Sequence, residues 1–328
     1  MRVLSSAEID AALDDGLLID RLEALFRSGC EMPNRHHHTI RQPLGQGSAD
    51  ASLLLMPAWT RGSSAHVGVK IVSVFPDNSR RSLPAVHGQY LLLDGHTGVP
   101  LALLDGAMLT KRRTACASGL AARYLSRANS RRLLMIGTGA LAPELIRVHA
   151  KVRRLEEIAI WGRRSERAQT LAQELSCSLP IALGRPVIVR AVIDRQQAVA
   201  WADTICCATL TRTPLVEGAW LRDGQHVDLV GAYTHQMRES DDDALRRARI
   251  FVDTRAGAMT EGGDVAVALS SGVIQANDVL ADLFDLTRGK HGGRSAGDAA
   301  TITLFKSVGA AIEDLAAAAF AVERVANA

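Results

Sequence analysis

The sequence predicts an α/β protein in two parts: a doubly wound domain of parallel strands alternating with helices, and a mostly antiparallel α+β domain. Three observations carry this. An apolar strand at 133–136, Leu-Leu-Met-Ile, runs into Gly137-Thr138-Gly139-Ala140 and then into a helical pattern bearing Leu145, Ile146 and Val148. Further β-rich segments then alternate with helices or loops as far as residue 252. Earlier, the β-rich segments 53–56, 67–75, 89–94 and 99–105 follow one another with no helical period between them.

Composition bounds the answer. A chain of 328 residues, 47% of them apolar, can fill a substantial core. Lys and Arg number 38 against 35 Asp and Glu, so a net charge of +3 gives no argument for a nucleic-acid partner. Cys30, Cys116, Cys177, Cys206 and Cys207 are odd in number and lack Cys-x-x-Cys spacing, which suggests neither a disulfide framework nor a zinc site. They read as small hydrophobes of a reducing compartment. No apolar run approaches the roughly 20 residues of a membrane span. The expectation is a cytoplasmic protein with no metal, membrane or nucleic-acid partner.

In chain order, Ser5-x-x-Glu8 has the capping-box form and opens a helix carrying Ile9, Leu13, Leu17, Leu18, Leu22, Leu25 and Phe26, with a break expected at Gly16. A polar segment with Pro33 and Pro43 follows, holding Arg35 and His36-His37-His38. In a strand His36 and His38 share a face without an acidic or cysteine partner nearby, so a solvated edge is favoured over a metal site. Lys70 stands out in the apolar run Gly68-Val69-Lys70-Ile71-Val72. A buried ammonium needs a negative partner, which a substrate carboxylate could be; otherwise the stem carries the charge to the sheet edge. Lys111-Arg112-Arg113 precedes a helix expected over 115–126, where basic residues oppose the helix dipole. A bound anion or a solvated surface would each account for them. His87 reads as a core or surface histidine.

The strand, glycine turn and helix at 133–150 suit a dinucleotide pyrophosphate. Gly137 permits the tight turn, Gly139 lets backbone approach the phosphates, and Ala142 allows close packing of helix on strand; Thr138 and Ala140 complete the loop. Strands at 158–161, 187–192, 204–208, 227–230 and 250–252 extend the doubly wound pattern, and Thr209 and Gly231 are placed with the cofactor residues. The second strand ends in Gly162-Arg163-Arg164-Ser165 instead of the acid that binds a ribose 2′-hydroxyl. Guanidinium groups at Arg163 and Arg164 suit a 2′-phosphate, so NADPH is expected over NADH. Beyond the glycine-rich loops at 261–264 and 292–295, an alanine-rich helix is expected over 301–326, bearing Ile302, Phe305, Val308, Ile312, Leu315 and Phe320.

Taken together, Gly68-Val69-Lys70, Thr110-x-x-Arg113-Thr114, Gly137-Thr138-Gly139, Val230-Gly231-Ala232, Glu261-Gly262-Gly263-Asp264 and Phe305-Lys306-Ser307-Val308-Gly309 with Glu313-Asp314 resemble the ornithine cyclodeaminase and mu-crystallin family. The resemblance implies a homodimer. Residues 1–114 with 300–328 would form a substrate and dimerisation domain, and 115–299 the dinucleotide-binding domain. It also implies that Arg113 grips a substrate carboxylate, that Lys70 is the active-site lysine, and that Arg35 is a second substrate-binding arginine. Ornithine cyclodeaminases of the family carry an aspartate directly after the Val-Gly-Gly segment; here that position is Tyr233, and Asp228 lies earlier, within the strand. With arginines at 163 and 164 besides, the chain looks more like the family's ketimine reductases. The expected reaction is NADPH-dependent reduction of a small cyclic imino acid, Δ1-pyrroline-2-carboxylate to proline or its six-membered homologue to pipecolate. Ornithine cyclodeamination with NAD, or NADPH-dependent binding of a small carboxylate without turnover, are the alternatives.

Overall fold

The structure is a computed structural model and describes residues 1–41, 50–63, 65–295 and 297–326; Pro43 lies outside them. The chain divides into two compact units, Met1–Arg113 with Ala311–Ala328, and Thr114–Ala310.

The first unit holds a six-stranded sheet ordered β1-β6-β5-β4-β3-β2: β1 (Arg2–Leu4), β2 (His36–Ile40), β3 (Ala51–Trp59), β4 (His66–Val74), β5 (Val86–Asp94) and β6 (Pro100–Asp105). Every pairing is antiparallel except β1 with β6. The helical N-terminus is two helices, α1 (Ser6–Ala12) and α2 (Asp15–Ser28), and Ser5 with Glu8 forms the capping box. The break falls ahead of Gly16, because the Asp14 side chain accepts from Leu17 N and starts a new helix there. The three histidines form exposed edge strand β2, with His37 Nε2 3.1 Å from Ser52 Oγ. His87 is exposed on β5.

Helix α3 spans Gly106–Leu125, and the division between units falls inside it. It begins nine residues before the expected start, because Asp105 Oδ1 accepts from Met108 N at 2.7 Å and nothing after it breaks the helix. Lys111, Arg112 and Arg113 are therefore interior helix residues and do not oppose the helix dipole at its start.

The second unit is built on eight parallel strands ordered β13-β12-β14-β11-β10-β7-β8-β9: β7 (Arg132–Ile136), β8 (Glu157–Trp161), β9 (Ile188–Ala191), β10 (Thr204–Cys207), β11 (His226–Leu229), β12 (Arg249–Val252), β13 (Val279–Asp282) and β14 (Thr303–Lys306). Helices α4 (Ala142–Val152), α5 (Ser165–Leu183), α6 (Arg195–Trp201), α7 (Asp242–Arg247), α8 (Arg255–Ala258), α9 (Gly263–Ser270) and α10 (Leu283–Thr287) connect them. Leu134, Ile136, Ile205, Val227, Leu229, Ile250 and Leu304 lie in one buried cluster, as apolar strands covered on both faces require. Two strands of the sheet, β13 and β14, have no counterpart in the sequence reading. The expected helix over 301–326 is instead β14, a turn at Gly309 with φ +82°, and then α11 (Ala311–Ala326). Because β14 pairs with β11 and β12, the chain rejoins the first unit at Ala311, later than the expected boundary at residue 300. There α11 packs on α2 and on β3, β4 and β5. The fold is thus the predicted α/β class, a doubly wound parallel sheet with a mostly antiparallel α+β unit.

The order β9-β8-β7-β10-β11 reverses direction between β7 and β10, the crevice where such sheets bind ligands at their carboxyl ends. Register brings those ends level: Ile136 pairs with both Trp161 and Cys207, and Cys207 with Leu229.

Candidate functional site

Two groups of chemically active side chains stand out, one in each unit.

In the first unit Lys70 lies mid-way along β4, between Met56 of β3 and Tyr90 of β5, and is 3% exposed. Its Nζ is 2.7 Å from Asp314 Oδ2. Arg113 donates from Nε to Asp314 Oδ1 at 2.9 Å and from Nη1 to Glu313 Oε2. Both acids sit in the first turn of α11, where the helix dipole favours negative charge, and both are wholly buried. The partner that a buried Lys70 demands is thus a residue of its own chain. Burial pushes the ammonium down to about 8 against the pull of Asp314. Burial would raise the Asp314 carboxyl, but Arg113 and Lys70 outweigh it and hold the group below its ordinary range. Two cations and two anions neutralise one another, while the Nη2 end of Arg113 makes no hydrogen bond to the described residues.

The neighbouring cation is turned elsewhere. Arg112 bonds to Asp15 Oδ1 at 2.8 Å, to Asp10 and to the Leu13 carbonyl, tying α3 to the first two helices. Arg35 is half-buried just ahead of β2, and β3 lies between that strand and the strand of Lys70.

In the second unit a cavity of about 580 Å³ opens at the carboxyl ends of the strands. All eight residues expected to bind cofactor line it: Gly137, Thr138, Gly139 and Ala140 after β7, Arg163 and Arg164 after β8, Thr209 after β10, and Gly231 after β11. Gly137 has φ +119°, and a Cβ there would press on the Ala208 carbonyl. At Gly139 a Cβ would meet no protein atom within 4 Å, so the turn is open on the side a ligand would approach. Helix α4 begins at Ala142 with no side-chain cap; Ala142 N donates to the Gly139 carbonyl at 3.0 Å and Pro143 has no N–H, so what this helix start offers an anion is the positive end of its dipole. The volume lies within the usual range for cofactor sites, about 300–1,000 Å³. These features fit a dinucleotide.

Trp161, Arg167 and Tyr233 also line this cavity, and the sequence reading assigned none of them to the cofactor. Arg167 was legible as a third arginine one turn after Arg163 and Arg164. Tyr233 is 42% exposed. Asp228, by contrast, is wholly buried on β11, where its Oδ2 is 3.0 Å from His149 Nε2 and accepts from Cys206 Sγ at 3.3 Å. It belongs to the sheet interior and does not take the place of an acid at Tyr233. Glu239 has no motif to announce it, yet its buried carboxylate accepts from Thr209 and Gly231, which line the cavity.

The chain matches the model of the ornithine cyclodeaminase/mu-crystallin family over residues 2–328. A Δ1-pyrroline-2-carboxylate reductase of Colwellia psychrerythraea is 34% identical over 328 residues, 100% of both chains. The solved structure of Thermococcus litoralis Δ1-pyrroline-2-carboxylate reductase in complex with NADH and L-proline superimposes with a TM-score of 0.88 at 31% identity, covering 100% of this chain and 98% of that one. An archaeal alanine dehydrogenase dimer with bound NAD gives a TM-score of 0.87 at 28% identity, covering 100% and 96%. Among the described residues no helix is long and apolar enough to cross a membrane.

Proposed function

The chain belongs to the ornithine cyclodeaminase/mu-crystallin family, and we propose that within it the protein is an imine reductase that uses a nicotinamide dinucleotide. The substrate is a small cyclic ketimine carboxylate, Δ1-pyrroline-2-carboxylate or Δ1-piperideine-2-carboxylate, reduced to proline or pipecolate. The observation that carries this reading is the charge balance of the buried cluster.

Lys70, Arg113, Glu313 and Asp314 sum to zero charge in a buried cluster. A bare carboxylate would leave that site with an uncompensated negative charge, which is costly at low dielectric. A cyclic imine protonated on nitrogen is a zwitterion, whose carboxylate meets Arg113 Nη2 and the Lys70 ammonium while its iminium finds the acidic pair. The proton that reduction requires then arrives with the substrate, and Asp314, ionised well below neutral pH, holds it on the nitrogen. Holding the carboxylate on a rigid buried fork orients the imine carbon, which is the entropic part of catalysis. Arg35 is a second carboxylate-binding arginine in this reading.

Gly137, Thr138, Gly139, Ala140, Thr209 and Gly231 hold the dinucleotide, which when bound supplies the hydride. Arg163, Arg164 and Arg167 line the same cavity with no acid among its lining residues, which supports NADPH over NADH. The resemblance and the dimeric archaeal relative support a homodimer.

Ornithine cyclodeamination needs an acid to act on the substrate amine, and Tyr233 stands at that position. One assay separates the readings. The protein is incubated with either cyclic imine and NADPH or NADH, and separately with ornithine and NAD. Oxidation of NADPH with either imine is expected; ammonia release from ornithine without net cofactor consumption would overturn the reductase reading. No turnover with any cyclic imine would mean a carboxylate-binding protein.

A further inference from the structure

The loops after β10 and β11 supply Thr209 and Gly231 to the cavity wall, and one carboxylate behind that wall holds both. Glu239 is wholly buried. Its Oε1 accepts from Thr209 N at 2.7 Å and Thr209 Oγ1 at 2.8 Å; its Oε2 accepts from Gly231 N at 2.7 Å and Ala232 N at 3.3 Å. Four donors from two loops thus meet a group with about four acceptor sites. The loops also touch: a Cβ on Gly231 would overlap the Thr209 backbone and press on Glu239 Oε1.

Glu239 is itself held. Its own N–H and that of Ser240 donate to Asp264 Oδ1 at 2.7 and 2.9 Å, and Asp264 Oδ2 lies 3.4 Å from Lys306 Nζ on β14. Lys306 donates to the Leu229 carbonyl at the end of β11, at 3.2 Å. Lys306 and Asp264 are both fully buried, an arrangement that costs desolvation at each ion and that packing of the sheet does not require.

We propose that Glu239 is the positioning residue of the dinucleotide site: as a carboxylate it locks the loops after β10 and β11 into one wall, and Asp264 and Lys306 hold it there. This rests on the reading of the cavity as a dinucleotide site. Only the ionised group can do the work, because a protonated acid or an amide turns a donor toward donors. The groups facing it are Lys306 from β14, Asp264 from α9 and Cys207 from β10, with Asp253 after β12 facing Lys306 in turn. Burial pushes the Glu239 carboxyl up to about 7, Asp264 adds to this, and Lys306 opposes it. Dinucleotide binding therefore favours the ionised form and weakens as pH falls through 7.

The test is the affinity of the full-length protein for NADH, followed by quenching of tryptophan fluorescence, since Trp161 lines the cavity. NADH is used because it carries no titrating 2′-phosphate. The wild type is expected to lose affinity at least threefold between pH 8 and pH 6. Glu239→Gln is expected to bind NADH at least tenfold more weakly at pH 8, with no further loss on acidification. A purely structural role would lower the melting temperature of Glu239→Gln while leaving its NADH affinity and pH profile as in the wild type, and that result overturns the proposal. If the variant does not fold, a wild-type affinity that is flat from pH 8 to pH 6 overturns it equally. A wild type that binds neither NADH nor NADPH overturns the dinucleotide reading, and the proposal with it.

Discussion

Replacing Asp314 by Asn removes one charge from the buried cluster and leaves two cations facing Glu313 alone. Asp314 contacts Lys70 at 2.7 Å and Arg113 at 2.9 Å and is wholly buried, so solvent cannot compensate. Breaking such a pair by removing one partner costs about 3–5 kcal/mol, a large share of the roughly 5–15 kcal/mol that holds a domain folded. The cost depends on pH with a definite sign. In the wild type the Lys70 pKa is lowered from 10.5 to about 8. Between those values the unfolded chain binds the proton and the folded chain does not, so stability rises with pH across that window by at most about 1.4 kcal/mol per unit. Coulombic attraction to Asp314 is the strongest influence raising the Lys70 value, so in Asp314→Asn the window opens below pH 8. Urea denaturation followed by circular dichroism should show a deficit of about 3–5 kcal/mol at pH 6 that narrows toward pH 8. Lys70→Met added to Asp314→Asn should recover part of it, because the unpaired ammonium is gone. A deficit below about 1 kcal/mol, or one that is constant from pH 6 to pH 8, would refute the assignment of Asp314 as the counter-ion of Lys70.

Four further outcomes follow from the same geometry. Arg163→Ala should raise the KM for NADPH by about 10- to 100-fold, the worth of a hydrogen bond to a charged group, and that for NADH no more than twofold; an equal loss for both in steady-state kinetics would remove Arg163 from the 2′-phosphate. Arg113→Lys should raise the KM for the cyclic imine at least tenfold, since a lysine cannot satisfy Asp314, Glu313 and a carboxylate in one plane; unchanged kinetics would refute the clamp. Tyr90 Oη is buried with no hydrogen-bond partner among the described residues, and a Cβ on Gly68 would overlap it. Tyr90→Phe should therefore leave stability unchanged or raise it by about 1 kcal/mol, and Gly68→Ala should lower it by about 1–3 kcal/mol, both read from urea midpoints.

The elements that were legible in the sequence are those with one period and clean ends. Residues 133–136, 204–207 and 226–229 are buried on both faces and lie next to turn residues, so they read as strands whatever surrounds them. The start of α3 leaves no mark in the sequence, because Asp105 closes β6 and caps the helix at once with no loop between them. Strand β14 resembles part of a helix in the sequence for a different reason. Ile302, Phe305, Val308, Ile312 and Leu315 recur at intervals of three and four, as on one helical face, although the first two belong to a strand and its approach, and Gly309 separates the rest. A four-residue strand is too short for its alternation to outweigh that coincidence.

The candidate sites divide along a similar line. Lys70, Gly137 and Arg163 are locally anomalous: a charge in an apolar strand, a glycine turn, an arginine where an acid is usual; Arg113 lies in a basic run from which only the family resemblance singles it out. Each also depends on a residue that is anomalous only in three dimensions. Asp314 is an acid in the first turn of a helix, an ordinary place for one, until α11 brings it against an arginine 201 residues earlier. Glu239 lies in the polar stretch Arg238-Glu239-Ser240-Asp241, and only its burial beneath Thr209 and Gly231 separates it from its acidic neighbours. Groups that meet a ligand must depart from the pattern of the element that carries them, and so leave a local mark. Groups that hold those residues in place need only the right distance, which the fold supplies and no spacing along the chain records.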